Sequence, residues 1–121
     1  MRNAIISVYN KKGIEKLVNY LIKNDFNIWS SGGTYRHISS LYDGKISKLY
    51  KIEEETHFPE ILDGRVKTLN PRIYGGILAD RDKESHTRDI RENDLIYYDL
   101  VVVNLYPFED TVSRSDCTEE D

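Results

Sequence analysis

The pattern of hydrophobic and polar positions predicts alternating strands and helices in the first half of the chain. Residues 4–8 form a short, continuous apolar run, which is typical of a strand buried on both faces. A second short strand is predicted for residues 26–30, a helix for about residues 35–41, and a weaker strand for residues 46–52. Residues 13–24 have the apolar spacing of an amphipathic helix, at Ile14, Leu17, Val18, Leu21 and Ile22.

The second half of the chain is less regular and ends in the clearest strand. Residues 53–71 are predicted to be irregular, and residues 73–79 are mildly apolar. The highly charged residues 80–93 are predicted to form a solvated helix or loop, whereas residues 98–103 predict a strand buried on both faces. Strands that alternate with helices indicate an α/β layered fold with a mainly parallel sheet. Ligands bind such sheets beyond the carboxyl ends of the strands, so we expect functional side chains to follow the strands.

Composition narrows the class of protein. A chain of 121 residues is long enough for one domain with a sizeable core. Its 17 Lys+Arg and 21 Asp+Glu give a net charge of -4, so we expect no nucleic-acid partner, and any anion site must be local. No apolar stretch approaches the roughly 18 residues of a membrane span, and the N-terminus does not look like a secretory signal. We therefore expect a cytoplasmic protein with no membrane partner.

Cysteine and histidine usage predicts neither a disulfide framework nor a metal site. The single cysteine, Cys117, lies in residues 111–121, which read as an acidic polar tail. The three histidines are scattered without the spacing of metal ligands. A reducing compartment fits this usage.

The segment around Arg65 and Lys67 is the most unusual polar stretch. With Thr68 it places two cations and a hydroxyl within four residues, between a turn-forming Asp-Gly pair and Pro71, which is expected to stop any regular element. Such groups suit an anionic ligand or a developing negative charge. The alternative is a solvated basic loop, since Arg and Lys are mostly exposed.

Two further motifs combine hydroxyls with glycine or a predicted helix start. The end of the first predicted strand and the start of the next helix carry Ser7, Asn10 and Lys11. A hydroxyl, an ammonium and the free backbone amides of a helix start together suit an anion. The alternative is that Asn10 only caps the helix. The Ser-Gly-Gly-Thr run of residues 31–34 follows the second strand, and paired glycines let backbone amides approach a phosphate closely. The alternative there is an ordinary glycine turn with a Thr cap.

Asn104 and Tyr106 follow the last predicted strand. They supply neutral hydrogen-bonding groups where a substrate would lie, although a strand end with a buried Tyr is also open. Together, the four motifs predict a pocket for a small phosphorylated molecule at the strand ends. Without a nucleophile–base pair or a metal set, they do not name a reaction.

In combination, these motifs resemble the inosine monophosphate (IMP) cyclohydrolase domain, the N-terminal half of a bifunctional purine biosynthesis enzyme. The resemblance covers essentially the whole chain and rests on residues 7–13, 31–34, 58–69, 75–79 and 104–108. It implies a methylglyoxal-synthase-like three-layer sandwich with a mainly parallel, Rossmann-like sheet. It also implies a purine nucleotide ligand, no metal or organic cofactor, and a homodimer.

The resemblance further implies closure of the second purine ring, from a formamidoimidazole carboxamide ribonucleotide to IMP. Residues on the phosphate and ribose side would be Ser7, Asn10, Lys11, Ser31, Gly32, Gly33 and Thr34. Residues lining the base end would be Arg65, Val66, Thr68 and Val103. The carboxamide nitrogen would attack the formyl carbon, and Lys67 would stabilise the resulting oxyanion with help from Asn104 and Tyr106.

The chain departs from this family pattern at several positions. Asn70 stands where the family usually has His, Asn10 where it has Asp, and Lys12 where it has Thr. The family domain continues beyond position 121 through an Ile-Asp-Ile-Gly-Gly motif and a catalytic lysine, so we expect this chain to hold an incomplete domain. Methylglyoxal synthase activity is disfavoured, because Asn10 stands where a carboxylate base would be needed.

Three interpretations remain open from the sequence. The chain is the front part of an IMP cyclohydrolase, or a non-catalytic module that binds a phosphorylated metabolite or purine nucleotide. The third is a truncated reading frame that folds poorly because an incomplete parallel sheet exposes an edge and apolar surface.

Overall fold

The computed structural model describes residues 2–59, 61, 62, 68 and 70–104. Their elements, in chain order, are β1 Asn3–Ser7, α1 Ile14–Lys23, β2 Asn27–Ser30, α2 Gly32–Leu41, β3 Leu49–Lys51, α3 Ile52–Thr56, α4 Pro71–Leu78, α5 Glu84–Glu92 and β4 Leu100–Val103. The strands form one parallel sheet in the order β3-β2-β1-β4. The predicted α/β fold with a parallel sheet is therefore confirmed.

The larger hydrophobic core lies between one face of the sheet and helices α1 and α2. Alternate residues of β1, Ala4 and Ile6, point to this face and pack with Val18 and Leu21 of α1 and Ile38 of α2. Side chains alternate between the faces of a strand, so each strand gives only every second residue to this core. The predicted apolar stripe of α1 is confirmed except at its end, where Ile22 is 41% exposed.

A smaller core covers the opposite face of the sheet. Ile5 of β1 packs there with Ile52, Ile73 and Tyr98, so the sheet has helical cover on both sides. Helix α4 lies very close to the segment before β4, because a Cβ added to Gly76 would come within 1.9 Å of the Ile96 carbonyl oxygen. Glycine at position 76 is therefore needed for this close approach.

Arg72 joins helices α3, α4 and the end of α5. Its Nε donates hydrogen bonds to the Glu55 carbonyl at 3.0 Å and to Glu55 Oε1 at 3.1 Å, and another guanidinium nitrogen donates to the Asn93 carbonyl. Burial raises the pKa of the Glu55 carboxyl above its ordinary value, and Arg72 only partly offsets this effect. The Arg72–Glu55 pair therefore holds α4 against α3, although burial makes the Glu55 carboxyl costly to ionise.

The structure corrects the prediction that the last strand is buried on both faces. Strand β4 pairs with β1 and lies at the edge of the described sheet, where Val101 is 43% and Val103 is 64% exposed. Leu100 and Val102 pack toward the larger core. The uniform run Leu-Val-Val-Val carries no alternation, so its sequence could not distinguish a covered face from an uncovered one.

Several predicted boundaries were also wrong. Helix α3 occupies residues 52–56, which were predicted as the end of a strand and the start of an irregular segment, and β3 is correspondingly short. Pro71 begins α4 rather than ending regular structure, because its fixed φ suits the first helical position and its missing N–H is not needed there. In the charged segment, by contrast, the helix alternative is confirmed: residues 84–92 are helical, with Ile90 buried. No helix among the described residues is long and apolar enough to cross a membrane.

Candidate functional site

The carboxyl ends of β2, β1 and β4 bring three of the predicted motifs together. A cavity of about 260 Å³, here called the central cavity, lies at this edge of the sheet. It is lined by Ser7, Val8, Tyr9, Lys11, Gly33, Thr34 and Asn104. The expectation that these polar motifs follow the strands is confirmed by their placement.

Asn104 lines the central cavity and also holds the loop after β1. Its Oδ1 accepts hydrogen bonds from the backbone N–H groups of Tyr9, at 2.7 Å, and Asn10, at 3.2 Å. Its Nδ2 donates to the Asn10 carbonyl at 2.7 Å. An amide nitrogen carries two hydrogens, and the second N–H of Asn104 makes no hydrogen bond to another described residue, so it is a candidate donor to a ligand.

Thr34 connects α2 to the end of β1. Its buried hydroxyl donates to the Val8 carbonyl at 3.1 Å, and the Val8 N–H lies 3.2 Å from the same oxygen. The hydroxyl predicted as a ligand donor is thus engaged with the backbone. This contact could not be predicted from the sequence, since residues 8 and 34 are brought together only by the parallel pairing of β1 and β2.

Lys11 and Arg36 converge on Gly33. The Lys11 ammonium donates to the carbonyls of Val8 and Tyr9 at 3.1 and 3.2 Å. A Cβ placed on Gly33 would lie 3.7 Å from Lys11 Nζ and 3.8 Å from an Arg36 guanidinium nitrogen. Arg36 was not singled out from the sequence. With α2 starting at Gly32, Arg36 falls in the first turns of the helix, beside the paired glycines.

The start of α2 offers backbone and side-chain donors. Gly32 has a φ of +46°, which favours glycine, and the first turn of the helix contains no acidic residue. Ser31 occupies the N-cap position but makes no capping bond with its side chain. Ser31 as a whole is 2% exposed, and its buried hydroxyl, like that of Ser30, has no hydrogen-bond partner among the described residues. Such buried groups are rarely left without a partner, so the Ser31 hydroxyl is a candidate ligand donor.

In the loop between β1 and α1, Asn10 does not cap the helix, so the alternative interpretation of this residue was wrong. The N-cap position is held by Gly13, whose φ is +79°, and no side chain caps α1. Asn10 Oδ1 instead accepts a hydrogen bond from the Lys12 N–H at 2.9 Å, which stabilises a turn before the helix. Asn10 thus shapes the loop that carries Lys11.

The predicted base-end wall is described only in part. Asn70 caps α4 by accepting a hydrogen bond from the Arg72 N–H at 2.9 Å, and its own N–H donates to the Thr68 carbonyl. Val103 pairs with Ser7 but does not line the central cavity. Arg65, Val66, Lys67 and Tyr106 lie outside the described residues. No cluster of potential metal-ligating side chains occurs in the described part of the chain.

Comparison with known sequences gives a family and close relatives. The family described as "MGS-like domain" matches residues 13–121. The bifunctional purine biosynthesis protein PurH of Staphylococcus epidermidis is 50% identical over 121 residues, which is 100% of this chain and 24% of that protein. PurH of Staphylococcus aureus is 44% identical, with the same coverage. The chain therefore spans about a quarter of the length of these curated relatives.

A solved structure agrees with these sequence matches. The structure described as "Crystal structure of ForH" aligns with a TM-score of 0.73 at 35% sequence identity. The alignment covers 88% of this chain and 52% of that chain.

Proposed function

The chain belongs to the MGS-like domain family and is homologous to the purine biosynthesis protein PurH, and on that premise we propose that it binds a purine ribonucleotide in the central cavity. We further propose that it takes part in the ring closure that produces IMP. The observation that carries the binding proposal is the approach of the Lys11 ammonium to Gly33 at the start of α2, where the hydroxyl of the N-cap residue Ser31 has no hydrogen-bond partner among the described residues.

The nucleotide phosphate is assigned to the start of α2. There it accepts hydrogen bonds from the first backbone N–H groups of a ten-residue helix and from Ser31, and it meets the Lys11 ammonium. The net charge of -4 weakens phosphate binding only slightly, because salt screens exposed charges beyond about 8 Å while direct contacts persist. Each charge-assisted hydrogen bond contributes about 1.5–3 kcal/mol, so two or three are enough to localise a phosphate.

The nucleoside is assigned to the β1 and β4 side of the central cavity. Its base then lies near Asn104. The second N–H of Asn104 donates to the base, while its other hydrogen bonds position the loop after β1. In the proposed reaction the carboxamide nitrogen attacks the formyl carbon, negative charge develops on the formyl oxygen, and water leaves as the ring closes. Lys67 and Tyr106 are the proposed partners of that oxygen, with Arg65, Val66, Thr68 and Val103 toward the base.

Calorimetric titration with IMP tests the binding proposal. We expect Lys11→Gln to weaken IMP binding about tenfold, the effect of losing one charge-assisted contact. Lys16→Gln, which removes an exposed charge on α1, is the matched control and should leave the affinity unchanged. No heat at millimolar IMP, with the chain shown to be folded, would overturn the proposal.

A second candidate, a non-catalytic nucleotide-binding module, is favoured by one specific observation. Among the described residues, those that line the central cavity include neither a carboxylate nor an imidazole, the usual groups for proton transfer. Incubation with the formylated ribonucleotide separates the candidates, with IMP followed by absorbance. Turnover that is lost in Lys67→Ala supports the cyclohydrolase, whereas binding of the substrate without turnover supports the module.

A further inference from the structure

A second cavity, here called the lateral cavity, lies next to the central cavity along the same edge of the sheet. It has a volume of about 230 Å³. It is lined by Gly32, Tyr35, Arg36, Lys51 and Glu53. Lys51 ends β3 and pairs with Ser30, the last residue of β2, so the lateral cavity lies one strand beyond the start of α2. Apart from Gly32, the residues of the lateral cavity were not predicted from the sequence as site residues.

The two cavities meet at the paired glycines of α2. Gly33 lines the central cavity and Gly32 lines the lateral cavity. The Arg36 guanidinium lines the lateral cavity yet lies beside Gly33, near the Lys11 ammonium. A phosphate at the start of α2 therefore lies between Lys11 on one side and Arg36 on the other.

The lateral cavity holds more positive than negative charge. Lys51 Nζ lies 5.3 Å from the centre of the Tyr35 ring, a cation–π distance that keeps the ammonium beside the cavity. Arg36 and Lys51 make no ion pair with a described carboxylate. Among the described residues of the lining, Glu53 supplies the single carboxylate, so two cations face one anion there. This balance suits a dianionic group more than a neutral one.

We propose that the lateral cavity is a second phosphate subsite and that the site binds a nucleoside 5′-diphosphate more tightly than the monophosphate. This inference rests on the proposed nucleotide site: the α-phosphate occupies the start of α2, and the β-phosphate lies between Arg36 and Lys51. Neighbouring strands are about 4.8 Å apart, so from β4 to β3 the edge extends about 14 Å. A nucleoside diphosphate with its base near Asn104 and its two phosphates toward Lys51 would lie along that edge.

Titrations with IMP, inosine diphosphate and inorganic pyrophosphate, each without divalent metal, test this inference. We expect inosine diphosphate to bind at least tenfold more tightly than IMP. Lys51→Gln should remove most of that advantage while leaving IMP affinity unchanged, because Lys51 lines only the lateral cavity. Arg36→Gln should weaken both nucleotides. Lys45→Gln, an exposed charge outside both cavities, is the control and should change neither.

The outcomes separate this inference from the proposed function. If neither nucleotide binds the folded chain, the proposed nucleotide site fails and the subsite fails with it. If IMP binds but the diphosphate binds no more tightly, or if Lys51→Gln leaves its advantage intact, only the second subsite is overturned. Pyrophosphate that binds as tightly as inosine diphosphate would overturn the assignment to a nucleotide. A thermal melt of each variant ensures that a lost signal does not reflect unfolding.

Discussion

The side chain of Asn104 and the backbone of Asn10 are joined by hydrogen bonds in both directions, although the residues lie 94 positions apart in sequence. Asn104 Nδ2 donates to the Asn10 carbonyl at 2.7 Å, and Asn104 Oδ1 accepts from the Asn10 N–H at 3.2 Å. Strand β4 thereby sets the position of the loop that carries Lys11. The edge strand of the described sheet is thus coupled to the proposed phosphate site.

We expect Asn104→Asp to weaken IMP binding about tenfold. The carboxylate retains the two acceptor contacts but cannot donate to Asn10, and it places a negative charge at the cavity. Hydrogen exchange of the Tyr9 and Asn10 amides, measured beside calorimetry, reports on the loop itself.

Asn104→Ala is the control for charge, because it removes every contact without adding a carboxylate. It should release both amides and also weaken binding, and its deficit should depend less on salt than that of Asn104→Asp. Unchanged exchange and unchanged affinity in Asn104→Ala would contradict the positioning role.

Thr34→Val should destabilise the fold by about 2 kcal/mol. Valine matches threonine in shape but leaves the buried Val8 carbonyl and N–H without their hydroxyl partner. Thr34→Ser keeps the hydroxyl and should cost clearly less. Chemical denaturation measures both, and equal losses for the two variants would show that the methyl group, not the hydroxyl, matters.

Gly76→Ala should destabilise the fold, whereas Gly33→Ala should leave it intact. At position 76 a Cβ would overlap the Ile96 carbonyl, so α4 must move and the free energy of unfolding should fall by about 3 kcal/mol or more. At position 33 the nearest atoms are flexible side chains at 3.7 Å or beyond, so the fold should persist. Gly33→Ala should nevertheless weaken IMP binding, since the methyl group occupies space beside Lys11.

A thermal melt of each glycine variant, followed by titration of the folded one, checks this pair. A stable Gly76→Ala protein would mean that α4 is not held against residues 96–98 as described. Full IMP affinity in Gly33→Ala would place the phosphate elsewhere than beside Gly33.

The stability contributed by Asp99 should be lost in acid. Burial of Asp99 disfavours its ionised form, but the Asn3 N–H and the Arg81 guanidinium together hold the pKa of its carboxyl below the ordinary value of 3.8. A lowered folded-state pKa stabilises the protein above the unfolded-state value, and that stability disappears as pH falls through the folded-state pKa.

Asp99→Asn should therefore cost no more than about 0.5–1 kcal/mol at neutral pH, because solvent screens the charge of this exposed residue, and the difference from the unsubstituted chain should narrow below about pH 3.8. Denaturation at a series of pH values measures the difference. A gap that stays constant down to pH 2 would assign the effect to lost contacts rather than to ionisation.

The α/β class, the strands of the central sheet and the amphipathic face of α1 could all be predicted from the order of residues alone. Each of these depends on local periodicity, which the order of residues carries directly. The sequence also placed Lys11, Gly33 and Asn104 at strand ends, because a polar motif after a buried strand is visible as a change in composition. The predicted roles of Arg65, Lys67 and Tyr106 stay predictions, since these residues lie outside the described part of the chain.

Which side chains contact each other depends on the tertiary structure. It showed that the Thr34 hydroxyl binds β1, that Asn104 holds the loop at Asn10, and that Arg36 joins Lys11 beside Gly33. It also placed β4 at the edge of the described sheet, where half of a uniformly apolar strand is exposed. Such relationships depend on strand order and on contacts between residues far apart in the chain. A periodicity read over ten residues contains no information about them.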